Sequence, residues 1–94
     1  MKAIGKTARA VADKLERLAH VSTDGVSVAV LRGKYQVPEA FANGRVNLPV
    51  CLFDDDMEEQ LGRTWRHELQ HARDCLDGID LPLEEMECRA RLAE

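Results

Sequence analysis

The stretch Trp65-Arg66-His67-Glu68-Leu69-Gln70-His71 holds two histidines four residues apart, with a glutamate directly after the first. On a helix, positions i and i+4 lie one above the other, so both imidazoles can reach one metal ion. Glu68 is too near His67 in sequence to join the pair easily as a ligand. It suits a different task, which is to accept a proton from a water that the metal activates. Zinc is the ion this spacing fits, and the chemistry is attack of that water on a carbonyl. The competing reading is a polar helix whose histidines find ordinary partners. Periodicity speaks against it: Met57, Leu61, Trp65, Leu69, Ala72 and Leu76 recur as one apolar stripe, Glu68 falls inside that stripe, and His67 and His71 run along its border. A carboxylate there is costly unless it is paired or bound to something.

Two histidines leave a zinc site short of a ligand. The HExxHxxGxxH arrangement would place the third at Asp77, but it needs a glycine at position 74, where this chain has Asp74. Cys75 continues the histidine series, yet it lies about 12 Å along the helix axis from His67, too far to share one ion. It is expected to be a small core residue. The remaining candidates are Glu84, Glu85 and Glu87, on a last helix opened by Pro82. Glu87 neighbours Met86, Ala90 and Ala93, which suit a core-facing side, while Glu84 lies one turn earlier on nearly the same side. Glu84 and Glu85 also suit a helix N-terminus as stabilising charges.

The run HELQHARD, followed by ECRARLA, resembles the gluzincin metallopeptidases, whose third zinc ligand is a glutamate on a later helix. It is similar in particular to the small mitochondrial metallopeptidase family that matures an ATP synthase subunit. The resemblance spans roughly residues 45–94. It implies zinc held by His67, His71 and Glu87, with Glu68 as general base. Two features depart from the pattern. The segment between His71 and Glu87 is short, and no second subdomain is evident to build a deep cleft, so a partner protein is a candidate to complete it. Depth agrees with Glu87: in a helical hairpin turning near Gly78, it sits level with His71, and Glu84 lies about 5 Å shallower.

These residues need elements to hold them. Ile4, Ala8, Val11, Leu15 and Leu18 recur at helical spacing and predict an amphipathic N-terminal helix of about 15 residues. Asp24-Gly25 marks a turn, and residues 26–32 (VSVAVLR) read as a strand. The following segment is ambiguous, because Pro38 blocks a central strand and residues 39–42 (EAFA) suit one helical turn. Asn43-Gly44 signals a tight turn into a second strand over 45–53, which Pro49 suggests is an edge. That edge offers backbone groups to an extended peptide. Asp54, Asp55 and Asp56 supply an N-cap and first-turn charge for a long helix reaching Leu76, which Gly78 ends. Asp74 is placed either to orient the His71 ring or to pair with Arg73, Arg89 or Arg91. Trp65 reads as core, Tyr35 as a core or edge residue, and His20 as a favourable charge at a helix C-terminus.

Length and composition bound the rest. The chain has 94 residues, enough for one domain, 1–94, with a single small core. A net charge of −4 argues against nucleic acid as the main partner. No apolar run approaches the ~20 residues of a membrane span, and the N-terminus lacks the apolar core of a secretory signal. Three unpaired-looking cysteines suit a reducing, intracellular and expectedly cytoplasmic setting. The expected fold is α+β: an N-terminal helix, a small antiparallel or mixed sheet of two to three strands, a long HELQH helix and a C-terminal glutamate-bearing helix. The expected function is zinc-dependent hydrolysis of peptide bonds in a peptide or protein substrate. The alternative is a non-catalytic binding or regulatory module that zinc stabilises.

Overall fold

The computed structural model describes residues 1–4 and 9–94. The chain runs β1 (Lys2–Ala3), α1 (Arg9–Leu18), β2 (Ser27–Leu31), β3 (Glu39–Ala40), β4 (Arg45–Pro49), two short 3₁₀ turns (Val50–Phe53 and Asp55–Met57), α2 (Glu58–Leu76) and α3 (Leu83–Ala93). The class is α+β. The sheet is larger than the two to three strands expected: four strands lie in the order β1-β2-β4-β3, with β1 parallel to β2, β2 parallel to β4, and β3 antiparallel to β4.

The two extra strands are two residues long, too short for alternation to show. β1 precedes the expected N-terminal helix, and its bonding to β2 runs on to Ile4, the first residue assigned to that helix: the Lys2 N–H donates to the Val26 carbonyl and the Ile4 N–H to that of Val28. The described part of the helix is Arg9–Leu18, and Ala8 lies outside the described residues. β3 forms where a helical turn was the alternative. It covers β4, so β4 is an inner strand and not an edge. Pro49 is tolerated because it is the last residue of β4, beyond Val46 and Asn47, the two positions that β3 pairs. The Asn43-Gly44 turn joins β3 to β4. Gly44 takes φ +86°, and a Cβ there would stand 2.6 Å from the Gly25 carbonyl oxygen, so only glycine lets the two turns approach this closely.

The core is a sandwich of two helices on the sheet. Leu15 of α1 and Leu61, Trp65, Leu69 and Ala72 of α2 pack with Val26, Val28, Val46 and Leu48 from the strands, and with Leu52. Trp65 is fully buried, and its indole N–H donates to the Leu15 carbonyl at 2.8 Å, tying α2 to the last turns of α1. Asp54 flanks both 3₁₀ turns, its N–H donating to the Cys51 carbonyl and its side chain making no cap bond, while Asp55 and Asp56 lie inside the second turn; α2 begins at Glu58, later than expected. Gly78, at φ +72°, closes α2 in a Schellman arrangement: the Ile79 N–H returns to the Asp74 carbonyl at 2.9 Å and the Gly78 N–H to Cys75 at 3.2 Å. The chain then reverses, and α3 packs principally on α2. Among the described residues, no helix is long and apolar enough to cross a membrane.

Candidate metal centre

The α2–α3 pair carries every residue of the candidate site. His67 and His71 sit one turn apart on α2, with ring centroids 5.0 Å apart and planes crossing at 74°. From α3, Glu87 reaches between them. One carboxylate oxygen lies 2.7 Å from His71 Nε2 and the other 3.5 Å from His67 Nε2. One ligand atom from each of the three residues falls within 4.8 Å of the others. A tetrahedral zinc site with bonds near 2.0–2.1 Å separates its ligand atoms by roughly 3.3 Å. The residues present therefore fit a metal ion: the donor set is mixed nitrogen and oxygen, the atoms converge, and only small side-chain adjustments separate the observed spacing from that of a coordinated ion. His71 Nε2 and the Glu87 carboxylate share a hydrogen bond at 2.7 Å, which a bound ion would replace. All three side chains are half-buried, so the cluster opens toward solvent on one side.

What brings Glu87 to the histidines is a lock one turn further along. Asp74, almost fully buried at 2% exposure, accepts two hydrogen bonds from the Arg89 guanidinium, both at 2.9 Å, and a third from the Gln70 amide at 2.8 Å. Gln70 in turn accepts from His20 Nε2 at 2.9 Å, so the chain of contacts runs from the end of α1 to α3. Asp74 therefore takes the second of the roles open to it. It pairs with Arg89 and does not orient the His71 ring. The Arg89 guanidinium holds the Asp74 carboxyl below its ordinary value against the opposing effect of burial, and the Gln70 bond adds to the lowering.

Glu68 lies on the core-facing side of the histidines and is half-buried. Burial pushes its pKa upward. The charges of His67 and His71 oppose the rise, and those of Glu87 and of Glu39 on β3 add to it. Glu87 behaves in the opposite way. Burial raises its pKa, but the hydrogen bond with His71 and the charges of His67 and His71 outweigh it, and the net shift is downward. Two neighbouring carboxyls are thus pushed apart: Glu87 is held as an anion fit to ligate, and Glu68 is made the more basic. β3, one of the two edge strands of the sheet, packs against α2.

The other candidates stand apart. Glu84, Glu85 and Asp77 are exposed and outside the cluster, and Asp77 pairs with Arg73 at 2.9 Å. Cys75 is exposed, contrary to the core position expected; it continues the His67–His71 row along the border of the apolar stripe, in the last turn of α2. Tyr35 is 91% exposed and is neither core nor strand. One residue escaped sequence reasoning. Glu94 meets His67 Nδ1 with its carboxylate at 2.7 Å. Its signal was present: Glu94 follows Glu87 by seven residues, two helical turns, and so lies on the same face of α3. Comparison with protein-family models, with curated proteins and with solved structures returned no match.

Proposed function

We propose that this chain is a zinc-dependent peptide hydrolase of gluzincin type, with His67, His71 and Glu87 as metal ligands and Glu68 as general base. The observation that carries the reading is the convergence of three ligand atoms from two helices beside a half-buried glutamate that is not one of them. Bound zinc would lower the pKa of a water and polarise the scissile carbonyl. The chain's own residues supply the rest. Glu68, made more basic by burial, accepts the proton of the attacking water and passes it to the leaving amine. Glu87, held anionic, balances the cation. The half-exposed placement of the cluster leaves a direction from which substrate can approach.

The substrate strand, if extended, pairs with β3 and not with β4, whose residues 46 and 47 are already covered. β3 is an edge strand of the sheet and packs against α2, the helix that carries Glu68. The flanking Val37 and Phe41 are exposed apolar side chains that an extended peptide would cover. A second protein completing the cleft fits the shallow site, and the reduced cysteines fit an intracellular location. The alternative, a zinc-stabilised binding module, needs a closed coordination sphere. Among the described residues the cluster has three ligand residues, the number that accompanies an open fourth position.

The test is zinc content together with peptide cleavage in wild type and in Glu87→Ala, Glu84→Ala and Glu85→Ala. Glu87→Ala is expected to empty the site and abolish cleavage, while the other two leave both intact. Zinc bound at full stoichiometry without cleavage of any peptide in a degenerate library selects the binding module. Zinc lost on Glu84→Ala and kept on Glu87→Ala refutes the ligand set.

A further inference from the structure

Glu94 makes two contacts that no part of the ligand set explains. Its carboxylate lies 2.7 Å from His67 Nδ1, the nitrogen on the far side of the ring from Glu87. Its main-chain oxygen accepts two bonds from the Arg66 guanidinium, from Nε at 3.1 Å and Nη2 at 2.8 Å. Arg66 immediately precedes His67, so the anchor and the ring it serves leave α2 side by side. The guanidinium lies back along α2 over Gly62, where a Cβ would stand 3.0 Å from Arg66 Nη1.

We infer that Glu94 is the positioning residue of His67: held in place by Arg66, it fixes the ring's tautomer and rotation so that Nε2 faces the metal site. This rests on the zinc reading above. The chemistry is constrained by the partner. An ionised carboxylate only accepts hydrogen bonds, so Nδ1 must carry the proton and donate it. A neutral His67 then has its lone pair on Nε2, the nitrogen 3.5 Å from Glu87. The same bond fixes the ring's rotation about χ2, which a lone imidazole on a half-exposed helix face does not hold. Carboxylates that take the second nitrogen of a metal-binding histidine also raise its basicity as a ligand. One face of α3 thus supplies both the ligand for the cluster and, two turns on, the group that aims a ligand from α2.

The experiment measures zinc affinity by chelator competition and the His67 tautomer by long-range ¹⁵N–¹H correlation in metal-free protein at a pH where the ring is neutral. Wild type, Glu94→Ala and Glu94→Gln are compared. Glu94→Ala is expected to weaken zinc by about 10–100-fold and to shift His67 away from the Nδ1–H form. Glu94→Gln, whose amide oxygen still accepts the Nδ1 proton, is expected to restore the tautomer and most of the affinity. A side chain that only steadied α3 would move neither the tautomer nor its recovery by glutamine. Wild type that binds no zinc overturns the metal reading itself. Wild type that binds zinc, with Glu94→Ala equal to it in affinity and in tautomer, overturns the role of Glu94 alone.

Discussion

Glu68→Gln separates a catalytic base from a structural carboxylate, because the two roles move stability and activity in opposite directions. The substitution preserves shape, removes the proton acceptor and touches no ligand. General-base catalysis contributes about 10²–10⁴ in rate, so hydrolysis should fall by that factor, which corresponds to about 3–5 kcal/mol of barrier at one decade per 1.36 kcal/mol. Zinc stoichiometry should not change. Stability follows from the direction of the Glu68 shift. Burial raises its pKa above the ordinary 4.5, so the folded chain binds this proton more tightly than the unfolded chain does. The protonated carboxyl therefore favours folding below pH 4.5, and that benefit is lost as pH rises through the folded value. At neutral pH an ionised Glu68 weakens the fold, and glutamine, uncharged throughout, removes the cost. Metal-free Glu68→Gln should melt at or above the wild-type temperature at pH 7, and the gap should close below pH 4.5. The assays are peptide cleavage, zinc content and thermal melting of the apo forms across pH. Unchanged cleavage with full zinc removes Glu68 from the reaction. An apo variant that melts well below wild type at pH 7 refutes the burial cost on which its basicity rests.

Two further outcomes test how the site is held. Asp74→Asn gives up the charge that receives Arg89; discounted because Arg89 is 42% exposed and can rehydrate, the loss is about 2 kcal/mol, or roughly 8–16 °C in Tm for a domain of this size. Because the Asp74 pKa is lowered, its stabilisation is present above the ordinary 3.8 and lost as pH falls through the folded value, so wild type and variant should converge in acid melts. Trp65→Phe leaves the buried Leu15 carbonyl without its donor and opens space in the core, for a loss of about 2–4 kcal/mol, read as a lower urea midpoint at unchanged slope.

The parts of this arrangement differ in how legible they are in the sequence, and the difference has a physical cause. His67, Glu68 and His71 share one helix, so their relative geometry is set by a period that sequence displays directly. The apolar stripe through Leu61, Trp65, Leu69 and Ala72 is legible for the same reason, and those four are fully buried. Glu87 is a different case, since its placement depends on the angle at which α3 docks. The Asp74–Arg89 pair sets that angle, and it joins residues fifteen apart through a turn whose course periodicity does not describe. Lys2–Ala3 and Glu39–Ala40 are strands only because β2 and β4 offer them partners; two residues carry no pattern of their own. Pro49 misled for a local reason, because its missing N–H is harmless past the end of a short neighbour. Glu94 shares a face of α3 with Glu87, but that spacing alone does not say that its carboxylate meets the far nitrogen of His67.

The α2–α3 hairpin also bears on the order in which this chain can fold. Its candidate ligands are sixteen and twenty residues apart and meet through one turn at Gly78, whereas the sheet must join residue 2 to 27 and 27 to 45 in parallel pairs. The separations are similar, but helices form from local contacts in about a microsecond or less, whereas parallel strand pairing has no local contacts to precede it and is slower. The histidines and glutamate can therefore find one another while the sheet is still unformed. An ion captured at that stage would staple the hairpin into a template, presenting Leu61, Trp65 and Leu69 as a ready surface on which β2 and β4 condense. Zinc supplied at the start of refolding should then speed the appearance of native Trp65 fluorescence, and zinc supplied after the sheet has formed should leave that rate unchanged.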